Sequence, residues 1–123
     1  MDARDMALMA AGVIGVLVAV VHGVILQRYM VRRATAAFTD ERQAALRRLT
    51  APLLHFSTYN WLLGGVALIA ARWFDPGARL ATGLLVGSSY LAGALGNLWA
   101  SRGRHPGWAL YALAVVLIGF GVA

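Results

Sequence analysis

The chain has 123 residues, 60% of them hydrophobic, and a mean hydropathy of +0.69, which is more apolar surface than a core of this size can hide from water. Its eleven basic residues are all arginine, set against five acidic residues for a formal net charge of +6, and cysteine is absent. A disulfide framework and a thiolate metal site are therefore excluded, and arginines gathered in short segments between apolar runs point to membrane topology rather than to nucleic acid.

Apolar runs long enough to cross about 30 Å of hydrocarbon occur at about residues 7–28, 52–72, 80–100 and 107–123. They predict an all-α polytopic membrane protein, a bundle of four transmembrane helices forming one integral domain. The first run follows MDARD and ends in QRYMVRR where a signal peptide would carry a small-residue cleavage site, so it is read as a retained span. Between the first two spans, Asp40 followed three residues later by Gln43 resembles a capping box. Leu46 and Leu49 share a face there, opposite Arg42, Arg47 and Arg48, which predicts a short amphipathic cytoplasmic helix ahead of Pro52, with Pro52 opening the second span. The last connection, SRGRHPGW, contains turn-forming Gly103, Pro106 and Gly107 and an interfacial Trp108.

The arginine distribution fixes an orientation. Arg28, Arg32, Arg33, Arg42, Arg47 and Arg48 lie in the first connection and Arg102 and Arg104 in the third, whereas the opposite side has a more balanced set of Arg4, Arg72 and Arg79 with Asp2, Asp5 and Asp75. The positive-inside rule then places the first group in the cytoplasm of a bacterial inner membrane, with the N- and C-termini outside. Arg28, Arg32, Arg33, Arg102 and Arg104 become candidate ligands for lipid phosphates.

Polar side chains inside the spans are the candidates for function, because ionisable groups are rare at that depth. His22 falls about 9 Å and His55 about 5 Å inside the arginine-rich boundary, with Asn97 about 6 Å inside it from the antiparallel third span. Tyr59, Asn60 and Tyr90 form a second, deeper group. Ala11, Gly15, Ala19 and His22 continue one small-residue stripe, and Gly83, Gly87, Tyr90, Ala94 and Asn97 another, which predicts helix packing at Gly15, Gly83 and Gly87.

Three functions can use such a cluster. The leading one is a noncatalytic membrane subunit or interaction module, in which the His/Asn/Tyr cluster fixes helix register and the GxxxG seam from Gly83 to Gly87 recruits a partner span. In the second, His22 and His55 hold haem b or a quinone head group. In the third, Asn97, Tyr90 and Asn60 line a conduit for a small solute or a proton, built by a homodimer or a larger membrane complex. Enzymatic chemistry has little to stand on: no carboxylate lies within a span, and neither a metal-ligand motif nor a phosphate loop is present.

The combination of HG before an arginine-ended first span, His55 six residues ahead of Trp61, and SRGRHPGW before the last span resembles a group of small uncharacterised four-span bacterial inner-membrane proteins. The pattern covers most of the chain. It implies the four-span fold and carries no activity with it.

Overall fold

The computed structural model describes residues 1–123 and is all-helical. Four continuous helices follow one another: α1 (Ala3–Ala37), α2 (Glu41–Trp73), α3 (Pro76–Ser101) and α4 (Gly107–Val122). Three of the five acidic residues start helices. Asp2 accepts from the Asp5 amide at 2.8 Å, Asp40 from the Arg42 amide at 3.0 Å, and Asp75 from the amides of Gly77 and Ala78 at 3.0 and 3.1 Å. Each carboxylate meets backbone N–H groups that have no intrahelical partner and the positive end of a helix dipole. The end of α3 is equally explicit. Arg102 and Gly103 both turn left-handed, at φ 49° and 77°, so that the Gly103 amide reaches back to the Leu98 carbonyl at 3.0 Å in a Schellman closure.

Two helix boundaries differ from the sequence expectation. The separate amphipathic helix does not form. Asp40 caps a helix that runs unbroken to Trp73 with Pro52 in its interior, and the Gln43 amide bonds to the Asp40 carbonyl instead of completing a capping box. Proline removes the donor to the carbonyl four residues back, that of Arg48. Both residues are exposed, so the helix can pass through without burying an unmet acceptor. Likewise α1 continues past Arg28 to Ala37, because no glycine or proline interrupts it, through one π-helical stretch at Leu26–Val31.

The helices pack in the cyclic order α1, α2, α3, α4, antiparallel to their neighbours. The contacts of α1 with α2 and α4, and of α3 with α4, are extensive, while the α2–α3 seam is thin. The core is small: Leu8, Leu68, Tyr90 and Tyr111 are its fully buried large side chains, and no charged or polar residue is fully buried. Gly83 and Gly87 sit against Ile118 and Val122 of α4, so the GxxxG seam is occupied within the chain rather than left for a partner span. Gly15 receives the ring of Tyr90.

Outside this core, large apolar side chains face outward on every helix, including Leu17 on α1, Leu53 and Phe56 on α2, Leu85 on α3 and Val116 on α4. Two of the helices, α1 and α2, are long and apolar enough to cross a membrane; α4 is apolar but has 16 residues.

Candidate functional site

Polar side chains collect at the end of the bundle where α3 turns into α4. His22 of α1 and His55 of α2 lie across the same helix interface and bond in a reciprocal manner. The His22 Nε2 is 3.2 Å from the Ser57 hydroxyl of α2, and the His55 Nε2 is 2.7 Å from the Gln27 side-chain oxygen of α1. Gln27 belongs to the π-helical turn, a kind of irregularity found most often beside functional residues.

The Ser57 hydroxyl also lies 3.2 Å from the Leu54 carbonyl, and His22 Nε2 meets it as donor or acceptor according to the ring's tautomer. The His22 ring also stands edge-on to Trp61, with centroids 4.8 Å apart at 62°. Trp61 in turn packs on Tyr111 at 4.8 Å, and Tyr111 on Tyr90 at 4.8 Å.

A cavity of about 540 Å³ opens beside this aromatic row, with walls from all four helices and the α3–α4 turn. Its polar side chains are His22, Asn97, His105 and Tyr111, together with the indole of Trp61; the rest is apolar, chiefly Leu17, Val21 and Ile25 of α1 and Leu110 of α4. Those four aliphatic residues are exposed, so the cavity opens sideways between α1 and α4. No arginine, aspartate or glutamate lies on its wall. Tyr111 is fully buried, and its hydroxyl has no hydrogen-bond partner, an unusual condition for a buried donor. His105 Nδ1 accepts the Gly107 amide at 3.1 Å and so caps α4, which puts the proton of the neutral ring on Nε2.

The sequence-derived candidates separate on this geometry. His22 and Asn97 share the cavity, whereas His55 is spent on Gln27 and is not on its wall, so the expected His22–His55 pairing about one ligand is replaced by His22 with His105. No three His, Asp or Glu side chains come together as a metal-binding group. Tyr59 is exposed and points away from the bundle. Asn60 donates to Ser89 at 2.7 Å across the α2–α3 seam, Tyr90 donates to the Trp61 carbonyl at 3.0 Å, and Asn97 donates to the Gly93 carbonyl at 2.9 Å. These three bonds do not connect with one another, so they form no continuous track, and Trp61 with Asn97 walls the cavity off from the shallow α2–α3 groove. Arg28, Arg32, Arg33, Arg102 and Arg104 are exposed, all at this end of the bundle.

Sequence reasoning missed Gln27, Tyr111 and the cavity role of His105. His105 is set by the turn it belongs to: Pro106 and Gly107 start α4 at once and fold the preceding imidazole back over the new helix end. Comparison of the chain with protein-family models, with curated proteins and with solved structures gives no match.

Proposed function

We propose that the chain is a noncatalytic, four-span protein of a bacterial inner membrane that holds a lipid-soluble ligand in the cavity between α1 and α4. Its arginine-rich end faces the cytoplasm and both termini face outward. The observation that carries this reading is the cavity itself: an apolar chamber, open sideways, with His22, Asn97 and His105 on its wall. A few polar groups converging in an otherwise apolar cleft is the usual form of a small-molecule site. The outward-facing leucines, valines and phenylalanines support the membrane setting, because in water they would be a large exposed apolar patch. Polar bonds between helices, such as His22 to Ser57 and His55 to Gln27, are worth about 0.6 kcal/mol each in membranes, enough to set helix register while leaving the cavity free.

Two measurements test the reading. The chain has no cysteine, so single-cysteine variants report topology without background. Asp75→Cys is expected to react with an impermeant maleimide in intact spheroplasts, and Arg47→Cys only after lysis; the reverse pattern would refute the orientation. Solvent extraction of gently purified protein is expected to yield a near-stoichiometric lipophilic molecule that is lost when Val18→Trp fills the cavity.

A second reading, association of two copies through the α2–α3 groove, is favoured by one observation. The groove contains Gly96, which faces open space, and the exposed Asn60–Ser89 bond. Crosslinking of Gly96→Cys into a dimer, at protein-to-lipid ratios where Val116→Cys stays monomeric, would support it.

A further inference from the structure

Every arginine except Arg4, Arg72 and Arg79 lies at the end of the bundle beyond His22 and His55, and none of them is paired with a carboxylate. The ion pair of the molecule, Arg79 with Asp5, is at the opposite end. The only acids near the unpaired arginines are Asp40 and Glu41, and Asp40 is committed to the Arg42 amide. Neutralising this excess falls to a group outside the chain, or to water and salt.

Two of these arginines share a hollow. Between the tail of α1 and the head of α2 is an open depression of about 690 Å³ whose polar wall consists of Gln27, Arg32, Thr35, Thr39 and Arg47, with Phe38 of the connecting turn beside them; neither Asp40 nor Glu41 is on that wall. Arg47 is tethered there by one N–H, which donates from Nη1 to the Phe38 carbonyl at 3.3 Å and leaves the other N–H groups of the fork available. Guanidinium forks match the oxygens of a phosphate, and threonine hydroxyls add donors of the same use. The surroundings are those of a lipid rather than of a soluble phosphate compound. Tyr29 and Met30 precede Arg32 on α1, Leu46 and Leu49 flank Arg47 on α2, and all four are exposed. The head-group layer of a bilayer covers such residues, and tyrosine is enriched at that level.

Resting on the membrane reading of the chain, but not on the cavity between α1 and α4, we propose that this hollow binds the head group of one anionic glycerophospholipid. Arg32 and Arg47 hold the phosphate, with the hydroxyls of Thr35 and Thr39 as further donors. A zwitterionic lipid brings its own ammonium group to a wall that has cations and no acid, so it binds less well.

The test is native mass spectrometry of the full chain released from neutral detergent micelles, at an ionic strength of about 0.15 M so that the field of scattered surface charges is screened. The probes are dioleoyl phosphatidylglycerol, dioleoyl phosphatidylcholine and glycerol 3-phosphate. One phosphatidylglycerol per chain is expected to bind saturably, about tenfold more tightly than phosphatidylcholine, the worth of one charge-assisted hydrogen bond. Arg32→Gln and Arg47→Gln are each expected to weaken it about tenfold for the same reason. The double variant Arg33→Gln/Arg48→Gln removes two charges that are not on the wall and is expected to change it less than about twofold. All four side chains are exposed, so an unchanged thermal midpoint checks that each variant is folded. Equal losses from the wall and off-wall variants, or equal binding of the two lipids, overturn the site in favour of a diffuse positive field. Glycerol 3-phosphate binding as tightly as phosphatidylglycerol overturns the lipid in favour of a soluble phosphate compound. Release of the chain from native membranes by alkaline carbonate removes the membrane reading, and the proposal with it.

Discussion

Gly12 of α1 and Gly65 of α2 face each other so closely that each occupies the space the other's missing side chain would need. A Cβ on Gly12 would stand 2.6 Å from the Gly65 carbonyl oxygen, and a Cβ on Gly65 2.7 Å from that of Gly12. Both obstacles are backbone, which cannot swing aside. Gly12→Ala or Gly65→Ala is therefore expected to cost about 2 kcal/mol by forcing the two helices apart. Gly119→Ala, with nothing within 4 Å, is expected to lose no stability. Thermal unfolding in detergent distinguishes them; equal midpoints for Gly12→Ala and Gly119→Ala would refute the close crossing.

Two tyrosines in the same aromatic row are expected to respond in opposite directions to loss of a hydroxyl. Tyr111→Phe removes a buried donor that has no partner and is expected to stabilise the ligand-free protein by about 1 kcal/mol. Tyr90→Phe removes the bond to the Trp61 carbonyl and is expected to destabilise it by about the same amount. Unfolding midpoints that move the same way in both variants would contradict this assignment.

At the opposite end of the bundle, Arg79 bonds Asp5 at 2.8 Å and the Gly121 carbonyl at 3.0 Å, tying the start of α3 to α1 and α4. The side chains of Arg79 and Asp5 are only 17% and 21% exposed, so the pair is closer to a buried contact than to a surface one. Asp5→Ala leaves the guanidinium half-buried without its anion and is expected to cost about 2 kcal/mol. The double variant Asp5→Ala/Arg79→Met is expected to be the more stable of the two, because it removes the stranded charge. A double variant weaker than Asp5→Ala in chemical denaturation would show that the Gly121 bond matters more than the ion pair.

The Asp2 cap carries a pH dependence with a definite sign. The Asp5 amide holds the Asp2 carboxyl below its ordinary value of 3.8 by favouring the charged form, with further help from the Arg4 amide and the charges of Arg79 and Arg4. A carboxyl depressed in the folded state contributes its stabilisation above the unfolded value, and loses it as pH falls through the folded one. The first turn of α1 is therefore expected to fray only below about pH 4. Amide exchange at Asp5 and Met6 follows it, and Asp2→Asn, which keeps a capping oxygen that cannot titrate, is expected to flatten the profile. Fraying that begins near neutral pH would point to another group.

Much of the helical plan is legible in the sequence because it depends on local chemistry. Apolar runs, the acidic cap at Asp40 and the glycine-proline turn before Trp108 mark helix positions without reference to the rest of the chain. Pro52 misleads because its fixed φ and missing N–H suit a helix start, whereas here the helix passes through it and leaves the Arg48 acceptor on an exposed residue, which is a tertiary circumstance. The same limit applies to the site. His22 and Asn97 stand out as polar residues on small-residue stripes, but nothing local shows that Gln27 turns to meet His55, or that the imidazole of His105 folds back over α4. Tyr111 gives the weakest signal of all. An aromatic residue among alanines and valines reads as packing, and only the three-dimensional neighbourhood reveals that its hydroxyl has nothing to bond with. Gly12 was hidden for a related reason: it lies one position off the stripe through Ala11 and Gly15, and the crossing geometry of α1 with α2 decides which of these becomes the contact.

The unequal helix lengths have a mechanical consequence. At 35 and 33 residues, α1 and α2 outrun α3 and α4, at 26 and 16, so only a pair of helices continues past the cavity. At 1.5 Å per residue the longer pair measures roughly 50 Å, some 20 Å more than a hydrocarbon slab is thick. The molecule is thus a tapered peg with a narrow, arginine-studded stem above a broad base. In the proposed membrane setting that extra length lifts the exposed Arg32, Arg33, Arg42, Arg47 and Arg48 beyond the hydrocarbon slab.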